Sequence, residues 1–225
     1  AAYGQIVGTR LLEYPRYKAI NVHGSLLPKY RGGAPIQRAI MNGDLETGIT
    51  IMYMAKKMDA GDIISQQAIP ITLEDNADTM FEKLAHLGAK MILPILNKIE
   101  KGKISPFQQD ESQVTYAYNL TKEDERIDFN DDAENVFNKI RGLASNPGAF
   151  FTIDGEIYKV YNSKVNKRDG KPGTIIEVNK DNFTIACGRQ SITFTEIKPQ
   201  GKKLMKVKDY LNGKGKKIII KNRRV

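Results

Sequence analysis

The chain has 225 residues, of which 40% are apolar, and a formal net charge of +9 at pH 7. This length suffices for one large domain or two small ones. No apolar run approaches the roughly 20 residues that span a bilayer, and no charged-then-apolar leader opens the sequence. The single cysteine, Cys187, excludes an internal disulfide framework. We therefore expect a cytoplasmic globular protein in which Cys187 is a small buried side chain.

After a short helix at residues 9–14, residues 18–35 begin as a strand around which the first domain should be built. Ile20 and Val22 alternate with Asn21 and His23, so the period of two places the amide and the imidazole on one face. A loop rich in glycine and proline follows, and such loops let the backbone approach a ligand closely. We expect this strand to be central in an open α/β sheet, where ligands bind at strand ends.

A second polar cluster follows a short helix at residues 35–42. Two apolar runs, residues 49–53 and 63–69, indicate strands joined by the turn at residues 58–62, which carries Asp59 and Asp62. Alone, a histidine on a strand is more often scaffold, and an Asp-x-Gly-Asp sequence is only a turn. Together the clusters supply an amide donor, an acid or base, and a carboxylate, which are the groups that acyl transfer needs.

Residues 77–101 form the longest predicted helix, capped by Asp75 or Asn76. Pro94 should kink or interrupt it, and His86 should lie on its surface. Apolar residues recur at three- and four-residue spacing and form one packed stripe: Met80, Leu84, Leu87, Met91, Ile95 and Ile99.

The hydrophobic pattern of the sequence changes beyond this helix. Residues 102–123 lack a sustained period, whereas a helix at residues 132–143 precedes short strands at intervals of about 8–12 residues, a pattern typical of a small β-barrel or sandwich. We therefore predict three regions, residues 1–104, 105–123 and 124–225.

The net positive charge is concentrated at the C-terminal end. Residues 124–225 hold 21 basic and 13 acidic residues, and from Lys198 onward 11 basic residues face the single acid Asp209. This density is typical of a protein that binds a polyanion, although a solubilising tail has the same composition.

Residues 21–40, 47–54 and 58–64 resemble the folate-dependent formyltransferases, and among them those that act on methionyl initiator tRNA. Gln109 and residues 120–128 look like the linker and the start of the second domain in that group. The resemblance implies an α/β fold: a Rossmann-like formyltransferase domain, N-terminally incomplete, followed by an OB-like β-barrel that binds tRNA. The βα units that ordinarily precede such a strand, roughly 60 to 90 residues, are expected to be missing.

The implied reaction transfers a formyl group from 10-formyltetrahydrofolate to the α-amino group of methionyl initiator tRNA in translation initiation. Asn21 would donate to the oxyanion, and His23 would act as a second donor or as a proton carrier. Asp59 would orient the imidazole and relay the proton; we prefer it to Asp62 because it matches the family motif.

The cosubstrate, 10-formyltetrahydrofolate, is expected to bind a loop that offers backbone polar groups and apolar side chains: Ser25, Leu26, Leu27 and Pro28. Arg31 would meet the glutamate tail of the folate or an RNA phosphate. No metal site is predicted, and the protein is expected to be a monomer. Two alternatives stay open, namely another acceptor, such as an amino sugar or water, and an RNA-binding chain without catalysis.

Overall fold

The computed structural model describes residues 7–213, 215–221 and 225. The chain divides into two units. The first comprises Ala1–Ala39 and Asp44–Asn119, and the second Ile40–Gly43 and Leu120–Val225.

The first unit is built on an antiparallel sheet of three strands in the order β1-β2-β3. These strands are β1 (Ile20–His23), β2 (Glu46–Tyr53) and β3 (Ile63–Pro70), and the predicted hairpin between β2 and β3 is confirmed. Among the described residues β1 pairs with β2 alone and lies at an edge, so its central place in a larger sheet stays a prediction. No parallel pairing is recorded in the described part of this sheet.

Two short helices flank β1, as the sequence predicts. They are α1 (Thr9–Glu13) and α2 (Pro35–Met41), with Pro35 in the first turn of α2, where a missing backbone N–H costs nothing.

The long helix α3 (Ala77–Glu100) confirms the predicted amphipathic stripe. Asn76 caps its start, because the Asn76 side chain accepts from the backbone N–H of Thr79 and the Thr79 hydroxyl accepts from that of Asn76, both at 3.0 Å. Pro94 lies within the helix. His86 is exposed, as predicted. All six residues of the stripe are buried: Met80, Leu84, Leu87, Met91, Ile95 and Ile99.

Asp75, the other predicted cap, instead forms an ion pair in which the carboxylate is buried and the Lys83 side chain is 47% exposed. Its carboxylate is 2.6 Å from Lys83 Nζ and accepts from Thr72 and Thr79. Burial raises the pKa of this carboxyl, but the hydrogen bonds from Lys83 and Thr72 prevail and lower the pKa to about 2.

The second unit is an antiparallel sheet in the order β4-β5-β8-β7-β6, with β9 paired to β8. No pairing between the end strands β4 and β6 is recorded within the described ranges, so closure into an OB-like barrel is not observed. Four helices accompany the sheet in the part of this unit that the structure describes. The elements are α4 (Lys122–Glu125), α5 (Ala133–Gly142), β4 (Ala149–Ile153), β5 (Glu156–Asn166), β6 (Ile175–Val178), β7 (Phe183–Ala186), β8 (Ser191–Pro199), β9 (Met205–Lys206), α6 (Val207–Leu211) and α7 (Gly215–Lys221).

Aromatic rings fill the core of this unit. Phe151 packs against Tyr158, Phe183 and Phe194, with ring centroids 5.5–6.4 Å apart. Cys187 is 1% exposed, which confirms its predicted burial. That burial, reinforced by the nearby acidic residues, raises the pKa of the thiol to about 12. None of the described helices has the length and apolar character to cross a membrane.

Candidate active site

Strand β1 places Asn21 and His23 on one face of the sheet. Asn21 lies opposite Met52, and His23 lies opposite Thr50. The other face of β1 meets helix α3, because a Cβ on Gly88 would lie 3.1 Å from Val22 Cγ1. The alternation predicted from the sequence therefore leaves the amide and the imidazole on the side away from α3.

The imidazole of His23 is held by a backbone carbonyl and faces a carboxylate. Nε2 lies 2.9 Å from the carbonyl oxygen of Tyr30. A carbonyl can only accept, so Nε2 is the nitrogen that carries hydrogen. Nδ1 lies 3.8 Å from Asp59 Oδ2, which is too long for a direct hydrogen bond. The side chain of His23 is 7% exposed and that of Asp59 is 16% exposed, so both are largely, but not completely, removed from solvent.

Asp59 reaches this position from a tight turn. Its φ is 49°, in the left-handed region that few residues other than glycine adopt. Oδ2 accepts from the backbone N–H of Gly32 at 2.9 Å. A Cβ on Gly61 would lie 1.8 Å from the Tyr53 carbonyl oxygen, so the turn sits directly against β2. Asp62, the alternative carboxylate, is exposed.

The loop of Ser25, Leu26, Leu27 and Pro28 is more inward-facing than we expected. Ser25 is 0% exposed, and its hydroxyl donates to the Lys29 carbonyl at 2.6 Å. The Leu27 side chain is 3% exposed and packs with Met52 and Ile63. Of the four predicted folate-binding side chains, only those of Leu26 and Pro28 are partly exposed.

Two residues that sequence reasoning missed hold the backbone of this loop. The Thr50 hydroxyl donates to the Ser25 carbonyl at 2.6 Å and accepts from the Leu27 N–H at 3.1 Å. Gln66 donates to the Leu27 carbonyl at 2.9 Å and to the Thr50 hydroxyl at 2.8 Å. Several polar groups that we expected to face a ligand are therefore already paired. Thr50 is a polar residue in a strand otherwise rich in apolar residues, and that contrast was the available signal.

Arg31 is not available to a ligand, so the predicted role at the folate tail or an RNA phosphate is wrong. The side chain is 0% exposed. Nε and one terminal nitrogen donate to Gln109 Oε1 at 3.0 and 2.8 Å, and the latter nitrogen also lies 2.7 Å from Glu111. The hydrogen bonds from Arg31 and then Lys57 lower the pKa of the Glu111 carboxyl to about 2. Nothing in the local sequence indicated that an arginine in a glycine-rich loop would be buried.

The basic C-terminal residues that the structure describes are exposed. Lys202, Lys203 and Lys206 all face solvent, and Lys202 Nζ lies 5.4 Å from the centre of the Tyr210 ring. The side chains of Lys214, Lys221, Arg223 and Arg224, which contribute to the predicted basic run, lie outside the described residues. Within the described ranges, no cluster of three or more histidine, cysteine or acidic side chains is arranged to hold a metal ion.

Comparison with known proteins identifies the family to which the sequence is similar. Residues 1–96 match the formyl transferase family, and residues 119–215 match the formyl transferase C-terminal domain. A methionyl-tRNA formyltransferase of Latilactobacillus sakei is 48% identical over 223 residues, which cover 98% of this chain and 70% of that protein. One from Staphylococcus epidermidis is 51% identical over 215 residues, with coverages of 95% and 69%.

Two solved structures share the fold at lower identity. HypX from Aquifex aeolicus in complex with tetrahydrofolic acid matches with a TM-score of 0.67 at 21% identity, over 87% of this chain and 35% of that one. An N-formyltransferase from Helicobacter canadensis, in complex with folinic acid and dTDP-3-aminofucose, matches with a TM-score of 0.66 at 22% identity, over 79% and 65%. From its matches over nearly its whole length, the chain belongs to the methionyl-tRNA formyltransferase family.

Proposed function

We propose that this chain transfers a formyl group from 10-formyltetrahydrofolate to the α-amino group of methionyl initiator tRNA, in translation initiation. The observation that carries the proposal is the approach of Asp59 to His23 on the face of β1 that also bears Asn21. Family membership supports the reaction, since relatives at 48% and 51% identity carry the name methionyl-tRNA formyltransferase.

Asn21 stabilises the charge that develops on the formyl oxygen. Attack of the neutral amine on the formyl carbon produces a tetrahedral oxyanion, and a carboxamide N–H₂ can donate to it without carrying charge itself. Because β1 also fixes His23, the donor and the imidazole keep a constant spacing during the reaction.

His23 carries the proton that the attacking amine loses. Its Nε2–H donates to the Tyr30 carbonyl, so Nδ1 is the nitrogen with a free lone pair, and that atom faces Asp59. When Nδ1 accepts the proton, the carboxylate of Asp59 stabilises the imidazolium across the 3.8 Å gap. Asp59 then takes this proton from Nδ1 and passes it through water to N10 of the folate. The tetrahedral intermediate collapses, the bond between N10 and the formyl carbon breaks, and tetrahydrofolate leaves.

The formyl donor binds beside the loop of Ser25, Leu26, Leu27 and Pro28. Because Thr50 and Gln66 occupy much of the loop's backbone hydrogen-bonding capacity, the loop contributes mainly a fixed shape. The partly exposed side chains of Leu26 and Pro28 supply apolar surface for a flat pterin.

The remaining architecture follows from the same proposal. Residues 1–104 form a Rossmann-like catalytic domain, residues 105–123 a linker, and residues 124–225 an OB-like tRNA-binding domain. The excess of basic residues beyond Lys198 supports the tRNA contact, which would run mainly through phosphates. We place the protein in the cytoplasm as a monomer.

A direct assay of acceptors tests this function. Purified protein, 10-formyltetrahydrofolate and charged initiator tRNA should yield formylmethionyl-tRNA, and omission of either substrate should abolish the product. Formylation of a nucleotide-linked amino sugar, or release of formate to water at a higher kcat/KM, would assign a different acceptor. Tight tRNA binding without transfer to any acceptor would overturn the catalytic assignment.

A further inference from the structure

The turn that carries Asp59 is held by a side chain from a distant part of the chain. Gln109 Nε2 donates to the carbonyl oxygens of Asp59 and Gly61, each at 2.8 Å. These bonds bracket the turn on both sides of Ala60. Since the turn includes a non-glycine residue with positive φ, it needs such external support to keep one conformation.

The oxygen of the Gln109 amide is also fully hydrogen-bonded. Its Oε1 accepts from two nitrogens of Arg31, at 3.0 and 2.8 Å. Arginine can only donate and carbonyls can only accept, so only one orientation of the amide satisfies all four partners. Glutamine is therefore the residue that suits this position, because glutamate would keep the bonds to Arg31 while opposing two carbonyl oxygens with a carboxylate.

Backbone pairing fixes Gln109 from both directions along the chain. On one side, Phe107 exchanges two backbone hydrogen bonds with Ile63, at 2.8 and 3.0 Å. On the other, the Arg31 N–H donates to the Thr115 carbonyl at 2.9 Å, and the Ala117 N–H donates to the Arg31 carbonyl at 2.8 Å. The segment of residues 107–117 is thus paired to the start of β3 and to the loop after β1.

Glu111 adds a second connection between the same two loops. Its carboxylate lies 2.7 Å from Arg31 and 2.6 Å from Lys57, which precedes the Asp59 turn. Glu111 is 59% exposed, so this connection is weaker than the one through buried groups. The Gln109 amide is the member that touches the turn backbone directly.

We propose that Gln109 is a positioning residue for catalysis: it fixes the Asp59 turn so that the carboxylate meets both the Gly32 N–H and His23. The inference rests on the proposed function for its kinetic consequence. Gln109 acts through Asp59 and does not touch the reacting atoms, so its loss should lower kcat and leave substrate binding nearly unchanged.

Kinetics of Gln109→Glu and its neighbour test the proposal. Displacement of a catalytic group by a fraction of an ångström to about 1 Å should lower kcat by roughly 10- to 100-fold, with KM for both substrates within about twofold. Gln108→Glu makes the same chemical change at an exposed adjacent position and should match the wild type. If Gln109→Glu fails to fold, Gln109→Met, which removes the bonds without adding charge, decides the question with the same expected result.

A double-mutant cycle separates positioning from general weakening. In an Asp59→Asn background the further change Gln109→Glu should cost less than about twofold, since the group it positions is already disabled. Full additivity, an unchanged kcat in Gln109→Glu, or a rise in KM alone would overturn the proposal.

Hydrogen exchange provides a readout independent of formyl transfer. The Gly32 amide donates to Asp59 Oδ2, so it should exchange faster in Gln109→Glu and at the wild-type rate in Gln108→Glu. An unchanged Gly32 amide would refute the positioning role even in an active enzyme. If instead the wild type transfers nothing but the Gly32 amide responds, the proposed function fails and the structural role of Gln109 stands.

Discussion

The core of the C-terminal unit and the surroundings of the candidate site are built from different contacts. In the C-terminal unit a continuous apolar cluster includes the buried rings of Phe151, Phe183 and Phe194. Around the candidate site the buried groups include His23 and Arg31, and their partners are backbone carbonyls, an amide and carboxylates. Among the described residues, a small apolar cluster of Leu27, Met52 and Ile63 lies beside them.

Because of this difference, the apolar core mainly determines stability, whereas the hydrogen bonds around the site mainly determine atomic positions. Burial of apolar surface is non-directional, so it stabilises a fold without defining where one atom must lie. Hydrogen bonds lose strength quickly when their distance or angle changes, so a network such as that of Gln109 defines positions to within tenths of an ångström. We expect core substitutions to change the free energy of unfolding, and substitutions near His23 to change rates.

The largest expected effect is on the stability of the C-terminal unit. Ile192 is 0% exposed in the centre of the sheet, and Ile192→Ala should cost about 2–5 kcal/mol in the free energy of unfolding. Ile157 is 38% exposed on a neighbouring strand, and the identical change there should cost well under half as much. Chemical denaturation measures both. Equal costs would show that the apolar cluster is not the source of stability.

The next largest effect is expected on the activation free energy of formyl transfer, and its size is comparable to the loss of stability in Ile192→Ala. Asn21→Ala should raise the activation free energy by about 2.7–4 kcal/mol, because the oxyanion loses a donor. Asn97 is exposed on α3, and Asn97→Ala should leave transfer unchanged. Single-turnover formyl transfer gives the rates, and thermal unfolding should show both variants folded. A folded Asn21→Ala enzyme with a normal rate would remove Asn21 from the mechanism.

Neutralising the exposed lysines of the second unit should weaken tRNA binding moderately. If Lys202, Lys203 and Lys206 meet phosphates, changing all three to glutamine should reduce the slope of log affinity against log salt by roughly one for each lysine that binds a phosphate. The matched control changes three exposed lysines of the first unit: Lys90, Lys98 and Lys101. Binding titrations over a range of salt decide; an equal loss of affinity in both triple variants would indicate net charge and no specific surface.

The smallest expected effect lies at the start of α3. Asp75→Asn should cost on the order of 1 kcal/mol of stability near neutral pH, because the ion pair with Lys83 is lost. The folded-state pKa of about 2 lies below the usual 3.8, so this contribution is present above about pH 4 and disappears as pH falls through 2. The stability difference from wild type should therefore shrink below pH 4. Asp78→Asn, at an exposed position in the first turn, should show a smaller and flatter difference.

Local patterns predicted the elements well. The stripe and cap of α3 follow from a period of 3.6 and from the chemistry of Asn76, and the shared face of Asn21 and His23 follows from a period of two. These properties depend on neighbours in sequence. The proximity of His23 and Asp59 depends on how three strands pair, and only the family resemblance made it expected.

The missed features depend on long-range contacts. Arg31 was predicted to meet the glutamate tail of the folate or an RNA phosphate. It is buried instead, and Gln109 and Glu111, from residues 107–117, bind its side chain. The inward orientation of Ser25 and Leu27 likewise depends on Thr50 from another strand. Barrel closure in the second unit depends on strand order, which spacing along the chain does not encode.

The two carboxylates of one turn offer a decisive comparison of the proposed catalytic pair. Single-turnover transfer of the formyl group to methionyl initiator tRNA should be about 10²- to 10⁴-fold slower in Asp59→Asn, because Asp59 lies beside His23. Asp62→Asn, the same change at an exposed position in that turn, should retain the wild-type rate. A wild-type rate in folded Asp59→Asn, or a large loss in Asp62→Asn instead, would contradict the assignment of His23 and Asp59 as the proton-transferring pair.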